Sequence, residues 1–96
     1  MQDFKKLVVW QKAMTATQTC YRATERFPAS QRFGLRSQMQ RAAVSIPSNI
    51  AEGSGRRTNP EFARFLRIAY GSACELETQT RLAISLGFGE RDVLEG

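Results

Sequence analysis

Apolar residues recur every three to four positions through three long stretches of this 96-residue chain, and nothing alternates over the length of a strand beyond very short pieces. The first stretch predicts a helix over about residues 4–27, with Asp3 as its N-cap and Pro28 as its stop. It carries two stripes. Leu7, Trp10, Met14, Thr17, Tyr21 and Thr24 hold the bulk, whereas Val9, Ala13, Ala16, Cys20, Ala23 and Phe27 are mostly small. Two stripes need two neighbours, which is the condition of a helix inside a bundle. Val8–Trp10 is β-prone in isolation, but its surroundings read as helix.

The second stretch predicts a helix over about residues 32–52, with Leu35, Met39, Ala42, Ile46 and Asn49 on one stripe. Pro47 lies inside it. Proline removes one backbone hydrogen bond and presses on the preceding turn, so a kink is expected at Pro47, with the helix resuming and ending at Gly53. Asn49 on an apolar stripe is expected to hydrogen-bond across helices and fix their register. The third helix spans about residues 59–86. Thr58, Asn59, Pro60 and Glu61 read as a capping box with proline in the first turn. Phe62, Leu66, Ala69, Ala73, Leu76, Thr80 and Ala83 form its main stripe, and Gly87 ends it. A fourth helix is expected to start near residue 90, where the sequence holds less than two turns, too little to be stable without docking. The pattern is that of an all-α single domain over residues 1–96.

Composition narrows the function. No apolar run approaches the ~20 residues that span a bilayer. The N-terminus, MQDFKKLVVWQKA, has charges on both sides of four apolar residues and does not read as an export signal, so the chain is expected in the cytoplasm. There Cys20 and Cys74 are expected as reduced, partly buried thiols. There is no histidine and no CxxC spacing, so a zinc site lacks ligands, and no cofactor is expected. No catalytic constellation emerges either. Glu75 and Glu77 point to different faces of the third helix, and Glu77 pairs at helical spacing with Arg81, so the chain is expected not to be an enzyme.

Charge is uneven. Residues 1–72 hold 12 Lys and Arg against 4 Asp and Glu, whereas residues 73–96 hold 2 against 5, and the whole chain carries +5. Arginine outnumbers lysine eleven to three. Arginine forks match phosphate oxygens, which fits a nucleic-acid partner; a GC-rich genome that prefers arginine codons fits equally. Two clusters stand out. In the segment Gly53-Ser54-Gly55-Arg56-Arg57, glycines permit backbone conformations that a β-carbon forbids, and two arginines precede a helix N-terminus, where N–H groups favour an anion. An ordinary interhelical turn with solvated arginines accounts for the same residues. Lys5, Lys12 and Arg26 fall on one outer stripe of the first helix with Arg22 nearby, Arg32 and Arg36 stand one turn apart on the second, and Arg64 and Arg67 share a face of the third. Such a surface can neutralise phosphates or simply solubilise the protein. Most aromatics fall on core stripes, so any binding is expected to address the backbone rather than stack bases.

The ordered landmarks LVVWQKA at Leu7–Ala13, Phe27-Pro28, Phe33-Gly34-Leu35, Gln38 with Arg41-Ala42-Ala43, Ser45–Gly53, Arg56, and Glu61-Phe62 leading to Ala69, Ser72, Glu75, Leu76 and Glu77 resemble the proteins encoded by intervening sequences within bacterial 23S ribosomal RNA genes. That resemblance covers nearly the whole chain. It implies an antiparallel, up-and-down four-helix bundle that assembles as a homo-oligomer, a pentamer being the pattern of the family. The family is similar to the accessory protein of diversity-generating retroelements, which binds nucleic acid and a reverse transcriptase. The resemblance therefore implies RNA or DNA, or a partner protein, as the ligand, with no membrane role. Members continue through a full fourth helix, so this chain is expected to be a truncated form or to have its bundle completed by a neighbouring subunit. Arg56, Arg57, Arg64 and Arg67, then Lys5, Lys12, Arg22 and Arg26, are the residues expected to meet phosphates.

Overall fold

The computed structural model describes residues 3–89, which are helical throughout apart from short connections. A 3₁₀ turn at Phe4–Lys6 leads into α1 (Val8–Thr24); a second 3₁₀ turn at Ala29–Gln31 precedes α2 (Leu35–Ser54), and α3 spans Asn59–Leu86. The fourth helix expected from about residue 90 lies outside the described residues.

The first helix is shorter than its pattern. Leu7 is extended (ψ 124°), so Phe4–Lys6 form a separate turn, and it is this turn that Asp3 caps, accepting from the Lys5 amide at 3.1 Å. At the other end the Thr24 hydroxyl turns back onto the carbonyls of Cys20 and Tyr21, at 2.9 and 3.2 Å, and the helix stops. Phe27 is buried although it lies beyond α1. Apolar spacing records which side chains face the core, not whether their backbone is still helical, so the pattern ran past the helix. The smaller of the two stripes forms most of the deeper face, joined by Thr24 of the bulkier one, while Val9 and Ala16 stay exposed. Ala13, Cys20, Ala23 and Phe27 are buried, whereas Trp10 and Met14 are half-buried and Tyr21 is exposed. Small residues let α1 approach its neighbour closely, and the bulky ones flank the seam.

α2 is the central helix. Its Gln40 amide donates to Thr24 Oγ1 at 2.9 Å near the end of α1, while Ile50 packs with Ala13 near the start, so α1 and α2 run antiparallel. α3 runs antiparallel on the other side, with Ser72 Oγ 2.8 Å from Ser45 Oγ and Ala83 packed against Leu35 and Met39. No Cα of α1 comes within 8 Å of one in α3. The core divides into two groups along α2. One holds Cys20, Phe27, Leu35, Met39, Ala43 and Ala83; the other holds Ala13, Ile50 and Ala69.

α2 runs uninterrupted through Pro47 rather than breaking and resuming there. Proline has no N–H to offer the carbonyl of Ala43, four residues earlier. The Thr17 hydroxyl of α1 donates to that carbonyl instead, at 3.0 Å, while also lying 2.8 Å from the carbonyl of Ala13. A neighbouring helix thus satisfies the acceptor that the proline leaves open. Asn49 does not reach across helices. Its amide donates to the Ser45 carbonyl and hydroxyl at 2.8 and 2.9 Å, and the Ser45 hydroxyl makes the interhelix contact with Ser72.

The glycines of the α2–α3 connection play a different part from the one expected. Neither Gly53 nor Gly55 has a positive φ; among the described residues only Gly87 and Gly89 do. Gly53 is inside α2, and a β-carbon there would lie 2.7 Å from Phe65 Cβ and 2.9 Å from Phe62 Cδ1. The residue is small because α3 crosses it. α3 then follows its sequence signals. Thr58 Oγ1 accepts from the Glu61 amide at 3.3 Å, and Gly87 turns left-handed at φ 74°. The amides of Gly87 and Phe88 bond to the carbonyls of Ile84 and Ala83 at 3.1 and 3.0 Å, and Phe88 packs on Phe27, which closes the C-terminus in the Schellman manner.

Candidate nucleic-acid interface

The α2–α3 turn gathers Arg56, Arg57, Arg64 and Arg67. Arg56 reaches back to Glu52, Nη2 to Oε1 at 2.7 Å, and its guanidinium carbon lies 4.7 Å from the centre of the Phe65 ring. Arg64, one residue before that ring, lies 5.4 Å from its centre. Two cations therefore share one phenyl group: Arg56 is held by the ring's quadrupole and by Glu52, and Arg64 by the ring alone. The close approach at Gly53 sets this up, because it presses the last turn of α2 against Phe62 and Phe65. Arg57 is exposed beside them, and Arg67 follows Arg64 by about one turn. Arg57, Arg64 and Arg67 make no ion pair among the described residues. Four arginines here face two acids, Glu52 and Glu61. The amides that begin α3 open at the same place, with Thr58 accepting from one of them.

The remaining expected residues do not form the stripe foreseen for them. Lys5 belongs to the separate 3₁₀ turn, Lys12 and Arg22 to α1, and Arg26 lies past the end of α1. All four are exposed. Lys5 stands at the same end of the molecule as the α2–α3 turn, whereas Arg22 and Arg26 stand at the opposite end. Arg22 has a long contact with Thr19 Oγ1, at 3.4 Å. Arg32 precedes α2 rather than sharing a helical face with Arg36.

Two aromatic residues stand in solvent close to arginines in the chain. Phe33 is 87% exposed with the Arg32 guanidinium 5.3 Å from its ring centre, and Tyr70 is 72% exposed one turn after Arg67. Neither lies on a core stripe. Tyr70 lies one turn before the exposed Cys74, and that neighbour raises its phenol above the usual value. Burial pushes the other free thiol, Cys20, up to about 11. Phe65 was missed as a site residue because its role depends on Arg56 folding back across a turn; its adjacency to Arg64 was the only sequence signal.

A groove of about 500 Å³ opens between α1 and α3 over α2. Ala16, Ile46, Ala73, Leu76, Thr80 and Ile84 line it, and the Glu77–Arg81 pair, 3.3 Å apart, edges it. No helix among the described residues is long and apolar enough to cross a membrane.

The chain matches the description of the 23S rRNA-intervening sequence proteins over residues 5–95. No curated protein matches it. The helical architecture and the matched span, which takes in α1, α2 and α3, place this chain in the 23S rRNA-intervening sequence protein family.

Proposed function

We propose that this is a non-enzymatic, cytoplasmic helical-bundle protein that binds the backbone of RNA or DNA through its basic surface. The observation that carries this reading is the convergence of Arg56 and Arg64 on Phe65, with the exposed Arg57 next to Arg56 in the chain, where only one arginine is neutralised by a carboxylate. Cations held near a surface by aromatic contacts keep their charge available, and phosphate neutralisation with counterion release is the favourable term they offer. Backbone contacts of this kind position a protein on nucleic acid without reading sequence.

The groove between α1 and α3 supports a second part of the reading. Its lining is mainly apolar and follows α3 from Ala73 to Ile84, which suits it to a fourth bundle helix or to association with another copy or a partner protein. A homo-oligomer, with the pentamer as the expected form, would multiply the charge: five copies at +5 carry +25, a field that concentrates polyanions strongly.

The test is fluorescence anisotropy with labelled duplex RNA and DNA across a salt series, on protein of measured native mass. Affinity is expected to fall log-linearly with salt, by about 0.9 in slope for each duplex phosphate neutralised. Replacing both Arg56 and Arg57 by Ala is expected to lower the slope by about 2 and weaken binding to every sequence alike. Absence of binding at low salt, or unchanged binding in a folded double variant, would refute the basic turn as the interface. A protein partner retained after nuclease treatment would favour the groove as the working surface.

A further inference from the structure

The connection between α1 and α2 exposes a phenyl ring on a firm support. Phe33 is 87% exposed, the most exposed large hydrophobic side chain among the described residues. Its loop is nonetheless closely built. Ala29–Gln31 form a 3₁₀ turn, and Gln31 Oε1 accepts from the Leu35 amide at 3.2 Å, capping α2. Gly34 lets that side chain pass, since a β-carbon there would lie 2.9 Å from Gln31 Oε1. On either side Phe27 and Leu35 are buried and anchor the loop in the core. The ring is thus held in water by its neighbours' packing, and folding gains little from it.

The surroundings select the partner. Arg32 lies over the ring at 5.3 Å, and Arg26 and Arg36 flank the loop in sequence. Glu25 is the sole acid between residues 4 and 51. An anionic strand with an unpaired base satisfies ring and cations together. Stacking on an aromatic side chain beside an arginine is a sequence-tolerant way to hold a single strand. We propose that Phe33 is a stacking platform for an unpaired base, giving the protein a contact with single-stranded RNA or DNA that a duplex cannot make. This rests on the basic-surface reading above and adds to it, since Phe33 stands at the end of α2 away from Arg56 and Arg57.

The experiment compares a labelled pyrimidine-rich single strand with its duplex, using the full chain, Phe33→Ala and Phe33→Trp at one salt concentration. Phe33→Ala is expected to weaken single-strand binding by about 5- to 150-fold while duplex binding is unchanged, and Phe33→Trp to retain both. Unchanged single-strand binding in Phe33→Ala overturns the platform, as does an equal loss for both ligands. A change of native mass in Phe33→Ala makes the ring a contact between subunits and overturns it too. All three leave the basic-surface reading standing. If the unaltered protein binds neither ligand, that reading fails and the platform with it.

Discussion

Replacing Thr17 by Val tests how α2 carries a proline in its middle. The substitution keeps the side chain's branched shape and removes its hydroxyl. The Ala43 carbonyl then has neither the Thr17 donor, now at 3.0 Å, nor an amide from residue 47. Ala43 is fully buried, so water has poor access to that oxygen. An unsatisfied buried acceptor costs about 1–3 kcal/mol. The hydroxyl has one proton to share between Ala43 and Ala13, which puts the expected loss in the lower part of that range, about 1–2 kcal/mol. For a domain of this size that is a fall in Tm of roughly 5–15 °C.

A second variant isolates the cause. Pro47→Ala restores an N–H to the Ala43 carbonyl, so Thr17→Val in that background is expected to cost no more than about 0.5 kcal/mol. The coupling between the two sites is then about 1 kcal/mol, and changes in helix propensity at residue 17 cancel because they enter both backgrounds. Urea unfolding followed by circular dichroism, at one fixed protein concentration, measures all four proteins. If Thr17→Val costs the same with and without Pro47, the hydroxyl is not compensating for the proline, and the account of α2 given above is wrong.

Two other outcomes follow from the packing. Gly53→Ala would ordinarily stabilise a helix interior by about 1 kcal/mol, but its β-carbon would meet Phe65 Cβ at 2.7 Å, so a net loss of about 1–3 kcal/mol in chemical denaturation is expected. A gain in stability would show that α2 and α3 are not so close. The Cys20 thiol stays protonated in the folded state to about 11 against an ordinary 9.0, so between those pH values the unfolded chain loses a proton that the folded one keeps. Stability is therefore full below about pH 9 and falls as pH rises, by on the order of 2 kcal/mol by pH 11, with the Cys20-dependent part of the slope absent from Cys20→Ala. In the same pH range Cys74, which is exposed, is expected to react with a thiol reagent far sooner than Cys20; equal rates would contradict the burial of Cys20.

Periodicity is a faithful guide to the extent of α3, where Thr58 and Gly87 also mark both ends, although Leu66 on its expected stripe is exposed and Gln79 outside that stripe is buried. It is less faithful where burial and helicity part. Phe27 is buried outside a helix, and Leu7 is half-buried at an extended residue, so both lengthened the expected first helix. Pro47 was read correctly as a local defect and wrongly as an interruption. The compensating donor comes from Thr17, thirty residues earlier in the chain, and nothing local to the proline announces it. Phe33 escaped for the opposite reason: a phenylalanine among apolar landmarks is ordinarily taken for core, and only the three-dimensional course of the loop shows it in water.

The basic turn illustrates the same limit at the candidate site. Arginines and glycines at residues 53–57 were legible as a charged connection, but the reason for the glycine was misplaced. Gly53 is not needed for an unusual backbone angle; it is needed so that α3 can lie against α2. That contact brings Phe65 beneath Arg56 and Arg64, and the ring then holds both guanidiniums near one another despite their like charge. Packing between two helices thus determines where the charge is presented. A variant that separates α2 from α3 at Gly53 should disperse the arginines without removing any of them. Its effect on nucleic-acid binding would therefore separate a site made by position from one made merely by net charge, because the +5 of the chain is the same in both.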